Sequence, residues 1–142
     1  MNYVISPMRI GDFEAATLLW QKSEGVGLSE SDSRESVAGF LERNPEMSFV
    51  ARDRDGKLIG AVLCGHDGRR ACMYHLAVAE SQRRQGIGAA LAEACLKRLA
   101  AMGIHRCNIF VYADNAHGKA FWERRGWKER AELRLMQKST QQ

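Results

Sequence analysis

The 142-residue sequence lacks several features that define whole classes of protein. It has no apolar run close to the roughly 20 residues that a membrane-spanning helix needs. Its first residues do not show the basic and then apolar segments of a secretory signal, and it contains no repeat, low-complexity stretch or long linker. With 45% apolar and 27% charged residues, the sequence predicts one cytoplasmic domain over residues 1–142, with no membrane partner.

Clustered metal ligands and a dense basic surface are also missing. No two cysteines form a C-x-x-C pair, and the histidines are not spaced as zinc ligands. Each cysteine lies in an apolar segment, which favours a reduced, buried thiol. The cysteines are Cys64, Cys72, Cys95 and Cys107, and the histidines are His66, His75, His105 and His117. A net charge of +4 with both signs interspersed predicts no nucleic-acid partner but permits an anionic ligand.

The periodicity of apolar side chains predicts a mixed α/β domain. Helices are expected over residues 11–22, 32–44, 86–102 and 116–125, and strands over residues 2–6, 48–51, 58–64, 71–78, 106–112 and 133–136. Asp32 and Glu35 are spaced as a capping box that opens the second helix. The order predicts an α+β fold: a largely antiparallel central sheet flanked by about four helices, with one βαβ crossover.

The most informative stretch runs from Val78 to Leu91, where a strand ends, a loop rich in Arg, Gln and Gly follows, and a helix begins. Free N–H groups and the helix dipole favour phosphate at such a helix N-terminus, and Arg83 and Arg84 add positive charge. The plain structural alternative is a helix start whose glycines serve a tight turn. A Walker loop would need a G-K-[ST] ending, and a dinucleotide fingerprint would need Gly or Ala where Leu91 stands.

Two segments carry a resemblance to a known family. The hexapeptide Arg83-Arg84-Gln85-Gly86-Ile87-Gly88 resembles the R/Q-x-x-G-x-G/A signature of the GNAT superfamily of N-acetyltransferases. The segment from Asn115 to Trp127 resembles the superfamily's N-x-x-A-x-x-x-Y-x-x-x-G-F segment. Within the superfamily the sequence looks nearest to the small bacterial YpeA-like group.

The resemblance implies acetyl-CoA as the acetyl donor, with coenzyme A as the product. It implies two splayed central strands, Leu76–Val78 and Ile109–Tyr112, with the pantetheine arm between them and a backbone N–H near Leu76 or Ala77 as the oxyanion donor. The implied cofactor-binding residues are Leu76, Ala77, Val78, Arg83, Arg84, Gln85, Gly86, Ile87, Gly88, Ala89 and Asn115.

The implied reaction is direct attack of a primary amine on the thioester in a ternary complex, and it needs a group that takes the amine proton. Relatives often carry a Glu on the central strand, but residues 71–78 hold no carboxylate. His75, with Tyr74 beside it, is the candidate base in that segment, and the alternative is Glu24, Glu30 or Asp32 acting through water. Trp122 stands where the family often has a Tyr that protonates the leaving thiolate, and Tyr112, His117 or water are the alternative acids. A strand histidine that points to solvent or a core edge is the alternative for His75.

The implied acceptor is an amine-bearing small molecule or a peptide, and the acidic residues Glu24, Glu30 and Asp32 between the first two helices are candidates to bind it. A solvated loop with a helix cap at Asp32 is the alternative. The resemblance also allows a homodimer. Because Trp122 replaces the usual Tyr, the alternative function is a weakly active or inactive acyl-CoA-binding sensor or partner domain.

Overall fold

A five-stranded sheet organises the first part of the fold, in a computed structural model that describes residues 2–141. The strands are β1 (Tyr3–Pro7), β2 (Phe49–Asp53), β3 (Leu58–His66), β4 (Ala71–Val78) and β5 (Cys107–Asn108). They lie in the order β1-β2-β3-β4-β5, with every pair antiparallel except β4 and β5, which are parallel. The predicted α+β fold with its mainly antiparallel sheet is therefore confirmed.

Four α-helices accompany the sheet within the described residues. They are α1 (Phe13–Gln21), α2 (Arg34–Arg43), α3 (Ile87–Ala101) and α4 (Ala116–Glu123). Short 3-10 turns lie at Ile10–Asp12, Glu30–Asp32 and Glu80–Gln82. Helix α3 connects the parallel strands β4 and β5, which makes the predicted βαβ crossover. None of these helices has both the length and the apolarity to span a membrane.

Side chains on the two faces of the sheet explain how the helices pack. On one face, Trp20, Val37 and Leu63 are buried in one apolar cluster that joins α1, α2 and β3. On the other face, a Cβ at Gly60 would meet the side chains of Leu91 and Ile87 at 3.0 and 3.2 Å, so α3 packs closely against β3 there. The core thus fixes α1 and α2 on one face of the sheet and α3 on the other.

The chain divides into two compact units, Met1–Phe110 and Val111–Gln142. The first contains the sheet with α1, α2 and α3. The second contains α4, which begins after the N-cap Asn115. Each unit is described by itself below.

Three local predictions were wrong. Asp32 does not cap α2, because Ser33 is the N-cap and accepts the Ser36 N–H, while Asp32 closes a capping box with Ser29 around the preceding 3-10 turn. The strand expected over residues 106–112 is only two residues long. No strand forms at residues 133–136, where Leu135 and Met136 are 64% and 91% exposed, because alternating apolar residues form a strand only where a neighbouring strand satisfies their backbone.

Candidate active site

The loop between β4 and α3 exposes a row of backbone amides. Arg84 and Gly86 both have left-handed backbones, with φ of 69° and 79°, and these two residues turn the chain into the helix. Within the described residues, the N–H groups of residues 84–89 have no hydrogen-bond acceptor, while the next amide, that of Ala90, bonds to the Gly86 carbonyl. Six free amides at the positive end of a 15-residue helix form a site suited to an anion.

The side chains of the same loop add positive charge. Arg83 and Arg84 are exposed, and in the described part of the chain neither forms an ion pair. Gln85 instead bonds to Gln82, its Nε2 donating to Oε1 over 3.0 Å, which links the two ends of the loop. The arginines are therefore available to an anion held by the amides.

Strand β4 is irregular at the position opposite Val62. Its pairing with β3 shifts register there, because Leu63 faces Tyr74 while Ala61 faces Ala77. The extra residue forms a bulge at His75, whose φ of 58° is left-handed. A histidine in this conformation is uncommon, and such outliers concentrate at functional sites.

The other edge of β4 is open beyond its second residue. Pairing with β5 covers only Ala71 and Cys72 in the described residues. The Ala79 N–H bonds to the Ile59 carbonyl of β3. Because successive N–H groups of a strand point to opposite sides, the Ala77 N–H points toward β3 and the Val78 N–H points away from it. Two amides were predicted as oxyanion donors. The Ala77 N–H points into the sheet, so the Leu76 N–H is the remaining candidate.

His75 and Asp32 meet although they are far apart in the sequence. The imidazole Nε2 lies 2.7 Å from Asp32 Oδ1, and the two side chains are only 15% and 11% exposed. The second carboxylate oxygen, Oδ2, accepts the Ser29 N–H at 2.9 Å. Two of the predicted residues therefore form one pair, between the bulge of β4 and the loop that precedes α2.

Aromatic rings surround this pair on the same face of the sheet. Trp20 of α1 is fully buried, with its ring centroid 5.2 Å from that of His75. Tyr74 packs edge-on to Phe40 at 6.1 Å and stacks with Phe110 at 6.3 Å. The sequence placed Trp20 only on an apolar helix face, because nothing in its local pattern indicates that it supports a histidine 55 positions later.

Tyr74 is a poor base in this environment. Burial, and next the neighbouring Cys72 thiol, raise the pKa of Tyr74 to about 12. The phenol is therefore protonated at neutral pH, and it can donate a hydrogen bond but not accept a proton. Of the two residues proposed from the sequence as the base, His75 is the one whose chemistry fits.

The remaining acidic candidates are not gathered at the pair. Glu24 and Glu30 are exposed, and neither has a side-chain ion pair in the described residues. Asp32 lies beside the histidine, where each of its carboxylate oxygens has one partner. The 3-10 turn at Glu30–Asp32 places it there.

Two more predicted residues lie in the second compact unit. The Oδ1 atom of Asn115 accepts the Gly118 N–H at 2.9 Å and caps α4, which leaves its amide N–H groups as donors. Trp122 packs edge-on against Phe121 and Trp127, with centroids 5.0 Å apart in each case. An indole offers an N–H donor and no proton-transfer acid, so Trp122 does not replace a catalytic tyrosine.

The sequence predicts that the cysteine thiols are reduced and buried. All four are free; Cys64 and Cys95 are buried as predicted, whereas Cys72 and Cys107 are only partly buried. The interaction with the Cys64 thiol, together with burial, raises the pKa of Cys107 above its usual range, so Cys107 stays protonated. In residues 2–141 no three His, Cys, Asp or Glu side chains are grouped as metal ligands.

Comparison with known proteins shows the class to which this arrangement belongs. The model of the GNAT acetyltransferase family matches residues 13–127. An acetyltransferase of Yersinia pestis (strain Pestoides F) is 34% identical over 104 residues, which cover 73% of this chain and 72% of that protein. The chain belongs to the GNAT acetyltransferase family.

Two solved structures share the fold. A PaiA N-acetyltransferase from Thermoplasma acidophilum, solved with coenzyme A, has a TM-score of 0.78 at 21% identity, over 90% of this chain and 91% of that one. The ribosomal-protein alanine N-acetyltransferase of Escherichia coli has a TM-score of 0.69 at 25% identity, over 87% of this chain and 76% of that one. The family match confirms the resemblance to the GNAT superfamily, and these structures confirm its fold.

Proposed function

We propose that this acetyltransferase is an N-acetyltransferase, which moves the acetyl group of acetyl-CoA to a primary amine of a small molecule, peptide or protein. Acetyl-CoA supplies a thioester that an amine can cleave, and it carries a pyrophosphate. The observation that carries the proposal is the row of six free amides of residues 84–89 at the N-terminus of α3. A pyrophosphate matches these amides in charge and in the number of hydrogen bonds it accepts.

The open edge of β4 supports the same ligand. A pantetheine arm has amide groups that pair with backbone as an added strand does. Val78 directs its N–H away from β3, and β5 pairs only with the beginning of β4. The Leu76 N–H is the proposed donor to the thioester oxygen, where negative charge develops during attack.

His75 is the proposed general base. A protonated amine has no lone pair for attack, so its proton must leave first. In the proposed sequence His75 takes one proton from the ammonium, and the neutral amine nitrogen then bonds to the thioester carbonyl carbon. The carbon–sulfur bond breaks, and the second proton that the nitrogen loses goes to water. The sulfur leaves as a thiolate, which needs little help because a free thiol has a pKa of about 8.5. Turnover therefore does not require a tyrosine acid at the position of Trp122.

The extent of the family match bears on the number of domains. The family match runs from residue 13 to residue 127, across the division after Phe110. This supports a single N-acetyltransferase domain over residues 1–142. Asn115, described within the second unit, has amide N–H groups left to donate to a ligand.

Thiol release measured with a panel of amines tests the proposal. The panel contains phenethylamine, 1,4-diaminobutane and an alanine-initiated hexapeptide, with mass spectrometry to identify the acetylated nitrogen. The last substrate follows from the likeness to the ribosomal-protein alanine N-acetyltransferase. We expect thiol release and an N-acetyl product with at least one of them. Saturable acetyl-CoA binding without turnover on any amine would favour the acyl-CoA sensor or partner domain instead.

A further inference from the structure

Both oxygens of the Asp32 carboxylate have fixed and different partners. Oδ2 accepts the backbone N–H of Ser29 at 2.9 Å, within the capping box of the 3-10 turn. Oδ1 lies 2.7 Å from His75 Nε2. The first contact holds the plane of the carboxylate, and so determines which oxygen meets the imidazole.

The contact with Asp32 determines where the proton sits on a neutral His75. A carboxylate only accepts hydrogen bonds, so the imidazole nitrogen facing it must carry the hydrogen. Nε2 is then the donor, and the lone pair lies on Nδ1. The ring is also held in place, because its side chain is 15% exposed and packs against the buried Trp20.

We infer that Asp32 is a positioning residue, which holds His75 as the Nε2–H tautomer so that Nδ1 receives the amine proton. This inference rests on the proposed function of His75 as the base. It assigns to Asp32 a role through His75 in place of direct contact with the amine. It also links the loop before α2 to the bulge of β4 by one hydrogen bond between residues 43 positions apart.

Asp32→Asn tests this inference, because an amide has one acceptor oxygen and one donor NH₂ group for the two contacts. The Ser29 N–H needs an acceptor, so the asparagine oxygen takes the place of Oδ2 and the NH₂ group turns toward His75. Nε2 must then accept, which moves the imidazole hydrogen to Nδ1. The variant thus keeps the shape of the side chain and inverts the tautomer, leaving no free lone pair on the ring.

Nitrogen-15 NMR of the histidine side chains at about pH 8, where an ordinary imidazole is neutral, reads the tautomer directly. The His75 signals are assigned as those missing from His75→Asn. We expect the Nε2–H form in the wild type and the Nδ1–H form in Asp32→Asn.

We also expect Asp32→Asn to lower kcat at least about tenfold on the best amine of the panel, since a wrong tautomer disables a base. The KM for acetyl-CoA should be unchanged.

Asp55→Asn is the matched control, because Asp55 lies exposed in the turn between β2 and β3 and its carboxylate has no partner in the described residues. It makes the same change of charge and should leave the His75 signals and kcat unaltered. An Nδ1–H form or a mixture in the wild type would overturn the inference, and so would wild-type kcat in Asp32→Asn. The wild-type spectrum, once assigned with His75→Asn, needs no substrate, so it decides the inference separately from whether any amine is acetylated.

Discussion

At the scale of single residues, the backbone of His75 matters as much as its ring. A φ of 58° is tolerated by Asn and His better than by most side chains. At the bulge this residue shifts the register between β3 and β4 and brings an imidazole toward Asp32. A test of the ring must therefore keep the left-handed conformation.

His75→Asn meets that condition. We expect kcat to fall about a hundredfold, since a positioned base contributes roughly 10²–10⁴ to the rate, while acetyl-CoA affinity is unchanged. Steady-state kinetics and calorimetry measure the two quantities. His105→Asn is the control, because His105 is exposed and has no side-chain partner in the described residues. Wild-type turnover in His75→Asn from about pH 6 to about pH 9 would exclude His75 as the base.

Tyr74 allows a prediction about pH. Its pKa of about 12, raised mainly by burial, lies above the ordinary value of about 10. Because the proton is held more tightly in the folded state, Tyr74 stabilises the fold fully below about pH 10 and loses that contribution as pH rises toward 12. The phenolate absorbance of wild type minus that of Tyr74→Phe should show a midpoint near 12. A midpoint near 10 would show that the surroundings of Tyr74 do not raise its pKa.

At the scale of elements, the N-terminus of α3 carries the proposed anion site. Gly88 lies in the first turn of the helix, among the six free amides. We expect Gly88→Asp to weaken acetyl-CoA binding at least about a hundredfold, because it places a negative charge beside a pyrophosphate. An acidic residue in the first turn stabilises a helix, so the variant should fold.

Gly39→Asp is the matched control for this prediction. Gly39 lies exposed in α2, and a Cβ there would meet nothing within 4 Å. Calorimetric titration should give the wild-type affinity for this control. If Gly88→Asp bound acetyl-CoA as tightly as the control, the loop from Arg83 to Gly88 would be a plain helix start.

The packing of α2 on β3 makes a separate prediction about stability. A Cβ at Gly65 would lie 2.6 Å from Phe40 Cζ and 2.8 Å from Asn44 Nδ2, so Gly65→Ala must displace α2. We expect a loss of about 1–3 kcal/mol in the free energy of unfolding, measured with urea. Gly39→Ala, in open space within the same helix, should instead gain up to about 1 kcal/mol. Equal stability of the two variants would contradict this packing.

At the scale of the whole molecule, the parts that the sequence predicted are the local ones. The loop Arg83–Gly88 is recognisable because adjacent residues make both the turn and the anion site. The pair of His75 and Asp32 depends on α1 and α2 packing against the sheet, and on a bulge that no local pattern marks. Both residues were candidates for the site, but their contact, and with it the role of Asp32, required the fold.

The incorrect final strand has the same cause. Residues 132–135 alternate charged and apolar side chains as a half-buried strand does. Periodicity predicts which side of a strand is buried, but a strand also needs a neighbour for its backbone groups. Such pairing is a property of the whole molecule, which the local pattern does not contain.

The measurement that tests the central claim most directly is a calorimetric titration of the wild-type protein with acetyl-CoA, with ATP and NAD as controls. If the free amides of residues 84–89 and the open edge of β4 together bind acetyl-CoA, acetyl-CoA should show saturable micromolar binding that neither control reproduces. No binding of acetyl-CoA, or equal binding of all three compounds, would contradict the assignment of this site.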